Sequence, residues 1–78
     1  MTTEQELREV LAKYAIGFDL LEFSKHDRVV LMPTRYKGIH REELSLRGRL
    51  TDCSIEEILK HCLSDTDFKD WQASQNHG

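Results

Sequence analysis

The sequence predicts a small α+β domain in the order α-β-β-β-α-α, with two helices on one face of a short antiparallel sheet. Three observations lead there. Apolar residues recur with a helical period near each end of the chain, and the period changes to two in the middle. The 78 residues suffice for one core and not for two. With 38% apolar and 32% charged residues, the balance is that of a globular chain rather than a disordered one.

The first helix is expected over residues 4–16. Thr3 and Glu6 have the spacing of a capping box, a hydroxyl for an orphan amide followed by a carboxylate three residues on. Leu7, Val10, Leu11, Tyr14, Ala15 and Phe18 then form one stripe of a helix with a 3.6-residue period. Glu4/Arg8 and Glu9/Lys13 are spaced four apart in the favourable order, and Gly17 stands where a C-terminal cap belongs.

Beyond Gly17, Phe18, Leu20 and Phe23 alternate with Asp19 and Glu22. Ser24-Lys25-His26-Asp27 is a polar break, and Arg28-Val29-Val30-Leu31-Met32 is β-branched and apolar until Pro33 stops it. This reads as two strands joined by a turn. Residues 33–42 read as a loop. Leu44, Leu46, Gly48 and Leu50 alternate with Ser45, Arg47 and Arg49, which predicts a third strand over 43–50. In that strand Arg47 and Arg49 share the uncovered face, and Gly48 marks a bulge or close approach.

Ser54 and Glu57 repeat the capping-box spacing, and Ile55, Ile58, Leu59, Cys62 and Leu63 repeat the helical stripe over 55–63. Asp65-Thr66-Asp67 opens a short third helix with Phe68 and Trp71 on one face. The domain is expected to span 1–73, leaving 74–78 as a tail with nothing to bury.

Order and charge suggest a comparison with double-stranded-RNA-binding domains, whose final helix starts with lysines. Here that start is Ser54-Ile55-Glu56-Glu57, which puts carboxylates where phosphate contacts need cations. The run from Leu7 to Tyr14, the short strands and Leu46-Arg47-Gly48-Arg49-Leu50 before Ile55 to Leu63 are similar in rhythm to another group. These are the small signalling domains that precede outer-membrane transducers and secretins. The closing strand of such domains has no counterpart after Phe68, and no residue role is carried over.

Chemistry-bearing residues do not assemble into a known motif. Cys53 and Cys62 are nine apart, no metal-ligand spacing is present, and Asp65, Asp67 and Asp70 read as charges near a helix start. There is no phosphate-cradling glycine loop and no nucleophile–base arrangement in a recognisable context. No cofactor or metal is expected. The position of Cys53 before a helix could lower a thiol pKa, whereas Cys62 falls on an apolar stripe and reads as core. Two cysteines and an acidic, polar N-terminus predict reduced thiols and a cytoplasmic location, and no apolar run is long enough to span a bilayer.

The charge distribution is the most informative feature. The chain carries net −3, yet residues 25–49 hold seven basic and three acidic side chains, a local +4. Arg35, Tyr36, Lys37, Ile39 and Arg41 interleave cations with two apolar anchors, and Arg47 and Arg49 follow in the next strand. Arginine beside tyrosine is the composition of binding hot spots. The expected function is therefore a non-enzymatic protein-interaction module, an adaptor, inhibitor or regulatory subunit, whose partner presents an acidic patch. The alternative is a nucleic-acid-binding domain using the same cations; the net negative charge and the single loop tyrosine disfavour it. A core this small also makes homodimerisation an ordinary route to further burial.

Overall fold

Thr3 starts the first helix by accepting the Glu6 amide on its hydroxyl at 3.1 Å. The computed structural model describes residues 2–34 and 42–75. Helix α1 spans Glu4–Ala12 and directs Leu7 and Leu11 into the core with no exposed surface.

The helix is shorter than its stripe predicts. The Ile16 amide returns to the Leu11 carbonyl at 3.0 Å, and the Ala15 amide to the Ala12 carbonyl at 3.1 Å. This is the paired arrangement of a Schellman cap, with Ala15 at φ +59° in the left-handed position usually given to glycine. Gly17 therefore does not cap the helix. A continued helix would place Ile16, nine residues from Leu7, half a turn away from the apolar stripe. Ending the helix early lets Ile16 enter the core, where it is 4% exposed.

Strands β1 (Phe18–Phe23) and β2 (Arg28–Pro33) form the expected hairpin, closed by a tight turn over Ser24–His26 and by Asp27 at φ +50°. The pairing runs from Phe18 opposite Pro33 to Phe23 opposite Arg28. Gly17 extends it: its carbonyl accepts the Thr34 amide at 2.8 Å, and its own amide donates to the Thr34 hydroxyl at 3.0 Å. A bonded Gly17–Thr34 pair makes Phe18–Pro33 a non-hydrogen-bonded pair, so β1 does not need the amide that Pro33 lacks.

Strand β3 (Leu44–Arg47) pairs antiparallel with β2, giving the sheet order β1-β2-β3. It ends earlier than the alternation predicts. Gly48 adopts φ +87°, and its amide donates to the Asp27 carbonyl at 2.6 Å. The chain then turns through Leu50–Asp52, where the Arg49 amide meets the Asp52 carboxylate at 3.2 Å and the Asp52 amide meets the Arg49 carbonyl at 2.9 Å. Leu50 still reaches the core, 4% exposed, from a turn rather than from a strand.

Helix α2 (Ile55–Cys62) brings Ile58, Leu59 and Cys62 over the sheet. Ser54 occupies its N-cap position, but its hydroxyl makes no capping bond, contrary to the spacing with Glu57. Helix α3 (Asp65–Gln75) is longer than expected and starts under Ser64, whose hydroxyl accepts the Asp67 amide at 3.2 Å. It fully buries none of its residues. Phe68 and Trp71, stacked with centroids 5.9 Å apart, rest against the core, and the Tyr14 hydroxyl donates to Asp70 at 3.0 Å.

The core comprises Leu7, Leu11, Ile16, Phe18, Val29, Leu31, Leu50, Ile58, Leu59, Cys62 and Leu63. Its strand members, Phe18, Val29 and Leu31, lie on one face of the sheet, with Leu20, Leu44 and Leu46 packed beside them. The result is the predicted α-β-β-β-α-α layout, with helices on one face and the other face uncovered by any described element.

Candidate interaction surface

Side chains alternate across a strand, so the register fixes what the uncovered face presents. Asp19 and Met32 form one row, Leu21, Val30 and Ser45 a second, and Phe23, Arg28 and Arg47 a third. Leu21 is 46% exposed and Phe23 44%, the two large apolar side chains most open to solvent among the described residues. Val30 and Met32 are half-buried beside them.

Arg28 and Arg47 are directly opposite one another on β2 and β3, both exposed. Arg28 Nη1 donates to the Ser45 hydroxyl at 2.8 Å, and no described carboxylate forms an ion pair with either arginine. The single acid on this face, among the described strand residues, is Asp19 at the far end of the strands. The face is therefore an apolar strip with cations at the hairpin end.

Of the seven residues singled out by sequence, Arg35, Tyr36, Lys37, Ile39 and Arg41 lie outside the described residues. Arg47 is on the uncovered face, as the alternation predicts. Arg49 is not. The left-handed turn at Gly48 carries Arg49 off the strand to the hairpin end of the sheet, where it lines one depression with Glu22, Phe23 and Arg28 and another with Thr3, Glu4 and Leu20.

Sequence reasoning missed Leu21, Phe23, Val30, Met32 and Arg28. For Leu21, Val30 and Met32 the signal is present in the doublets Leu20-Leu21, Val29-Val30 and Leu31-Met32, whereas Phe23, expected with Phe18 and Leu20, lies on the opposite face. A strand with one solvated face alternates, so consecutive apolar residues put a large side chain on each face.

Nothing else on the described surface assembles a chemical site. Cys53 is half-buried, its thiol donating to the Arg49 carbonyl at 3.3 Å. Burial pushes its pKa up, and the carboxylates of Asp52 and Glu57 push it further in the same direction. That is the opposite of the activation its place before a helix suggested. Cys62 is fully buried in the core. A shallow groove between β3 and α2 is lined by Leu44, Leu46, Glu57, Lys60 and His61, with the His61 ring hydrogen-bonded to the Glu42 carbonyl. Among the described residues, no three of His, Cys, Asp and Glu are grouped to hold a metal ion, and no helix is long and apolar enough to cross a membrane.

Compared with known protein families, with curated proteins and with solved structures, the chain matches none.

Proposed function

We propose that this protein is a non-enzymatic interaction module, an adaptor, inhibitor or regulatory subunit, that works in the cytoplasm. It binds a protein partner through the uncovered face of its sheet. The observation that carries this reading is the exposure of Leu21 and Phe23 beside Arg28 and Arg47, two arginines without a described carboxylate. Aromatic and arginine side chains at one patch are the usual anchors of protein interfaces. Unneutralised cations at one end of an apolar strip call for an acidic patch on the partner, placed to meet that end. Arg35, Tyr36, Lys37, Ile39 and Arg41 belong to this reading through their composition, in the connection from β2 to β3.

The test compares wild type with the double variant Arg28→Glu/Arg47→Glu. Affinity capture is run with and without nuclease, beside a salt titration against generic duplex and single strands. The expected result is a nuclease-resistant protein partner that the double variant no longer retains. Binding of nucleic acid at physiological salt, with a steep salt slope that falls when the two cations are reversed, would replace this reading with the nucleic-acid one.

A further inference from the structure

Strand β1 lies at one edge of the sheet, with its outer main chain unpaired by any other strand. The bonded Gly17–Thr34 pair fixes the ladder's phase: Asp19, Leu21 and Phe23 exchange bonds with β2, whereas Phe18, Leu20 and Glu22 turn their amides and carbonyls outward. The Phe18 carbonyl is covered, because Arg8 Nη1 donates to it at 3.1 Å while the guanidinium lies 4.2 Å above the Phe18 ring. No described group outside the strand bonds to the main chain of Leu20 or Glu22. This edge has no proline, lysine or bulge to hinder strand addition; its charges are the single carboxylates of Asp19 and Glu22, and it carries the exposed Leu21 and Phe23.

We propose that two copies of this chain pair through β1, antiparallel about a two-fold axis at Leu21, to form one continuous six-stranded sheet. The phase restricts the register. Outward groups must meet outward groups, so the dyad falls on a residue rather than between two, and the central choices are Leu20, Leu21 and Glu22. A dyad at Glu22 sets two carboxylates directly opposite each other, which is repulsive. A dyad at Leu20 brings Phe18 opposite Glu22 of the other copy and requires Arg8 to release the Phe18 carbonyl. A dyad at Leu21 avoids both. The outward groups of Leu20 and Glu22 then satisfy each other across the axis, and Arg8 keeps its bond.

The side chains agree with that register. Leu21 meets Leu21 of the second copy, and since Leu21 is already opposite Val30, the row Val30-Leu21-Leu21-Val30 runs unbroken across the axis. Phe23 falls opposite Asp19 of the second copy, so no two like charges are directly opposed along the new ladder. The junction is one strand pair wide, well below the area of a standard stable interface. Association is therefore weak and concentration-dependent.

Sedimentation velocity across a concentration series up to several hundred micromolar tests the proposal. Wild type is expected to shift from monomer towards dimer as concentration rises. Glu22→Pro removes an outward amide that β2 does not use, and Leu21→Lys sets like charges at the axis; both are expected to sediment as monomer throughout with unchanged far-ultraviolet circular dichroism. Should the proline variant unfold, the lysine variant decides. A second measurement reads the register. In a Cys53→Ser background, Leu21→Cys is expected to form an intermolecular disulfide under mild oxidation, because a non-hydrogen-bonded antiparallel pair holds its Cα atoms about 4.5 Å apart. Phe23→Cys, similarly exposed, is expected to form no intermolecular disulfide, because it lies opposite Asp19 of the second copy. A wild type that stays monomeric across the series, a dimer that survives Leu21→Lys, or equal cross-linking of both cysteine variants overturns the proposal.

Discussion

Arg28 and Arg47 face each other across two neighbouring strands, with Arg28 held to the Ser45 hydroxyl at 2.8 Å and neither arginine ion-paired with a described carboxylate. Like charges directly opposite on a sheet are destabilising. The pair thus costs folding energy at the place where the module is proposed to bind.

Replacing Arg47 by Glu turns that repulsion into a cross-strand attraction. Arg47→Glu is expected to stabilise the fold by about 0.2–1 kcal/mol in denaturant titration, with the gain shrinking as salt is raised. The same substitution is expected to weaken capture of an acidic partner. A variant that is more stable and binds less well separates the two roles of the arginine. Loss of stability on this change would show that the two guanidinium groups do not repel in solution.

The helix starts make a graded set. Thr3 and Ser64 cap through their hydroxyls, whereas Ser54 makes no such bond. Thr3→Ala and Ser64→Ala are each expected to cost about 1 kcal/mol, as lost caps do, and Ser54→Ala only a few tenths. Thermal unfolding of the three variants checks the order. An equal loss at Ser54 and Thr3 would mean that the Ser54 hydroxyl caps α2 in solution.

The end of α1 offers the opposite change. Ala15 holds φ +59°, a conformation that costs a residue with a Cβ roughly 1–2 kcal/mol and costs glycine almost nothing. Against this, glycine adds chain entropy to the unfolded state worth about 0.4–1 kcal/mol. Ala15→Gly is therefore expected to stabilise by up to about 1 kcal/mol, raising the urea midpoint with the slope unchanged. Gly17 responds differently, since a Cβ there would lie 3.1 Å from the Thr34 hydroxyl oxygen and disturb the pair that extends β1.

These two positions show which parts of the fold were legible in the sequence. The order of elements, the hairpin and most of the core follow from periodicity, because burial of Leu7, Leu11, Ile58 and Leu59 has no competing solution. The ends of elements were less legible. Gly17 looks like a helix cap by type, yet the need to bury Ile16 places the cap at Ala15, a choice set by tertiary packing. Gly48 was marked as a special point, but whether it bulges or turns the chain depends on its bond to Asp27, which comes from a different strand connection. That turn separates Arg47 from Arg49, so only one of the predicted strand pair of cations stands in β3. The uncovered apolar strip is readable in the doublets of β1 and β2, a signal that net charge does not carry.

The thiols provide a final prediction. Cys62 is fully buried among Leu59, Leu63 and the sheet residues, so its modification requires local or global opening. Cys53 is reachable, but burial and the neighbouring carboxylates of Asp52 and Glu57 raise its pKa, and its thiol donates to the Arg49 carbonyl. A raised pKa lowers the thiolate fraction at every pH below it, and the thiolate is the nucleophile. Alkylation of Cys53 at neutral pH is therefore expected to be slower than that of an unstructured peptide thiol, with its pH–rate curve displaced to higher pH. Asp52→Asn and Glu57→Gln should each move that curve back towards the ordinary value, while Cys62 labels only at the rate of unfolding. Fast labelling of Cys53 at neutral pH, or a curve displaced to lower pH, would show that the helix N-terminus outweighs burial and restore the case for a reactive thiol.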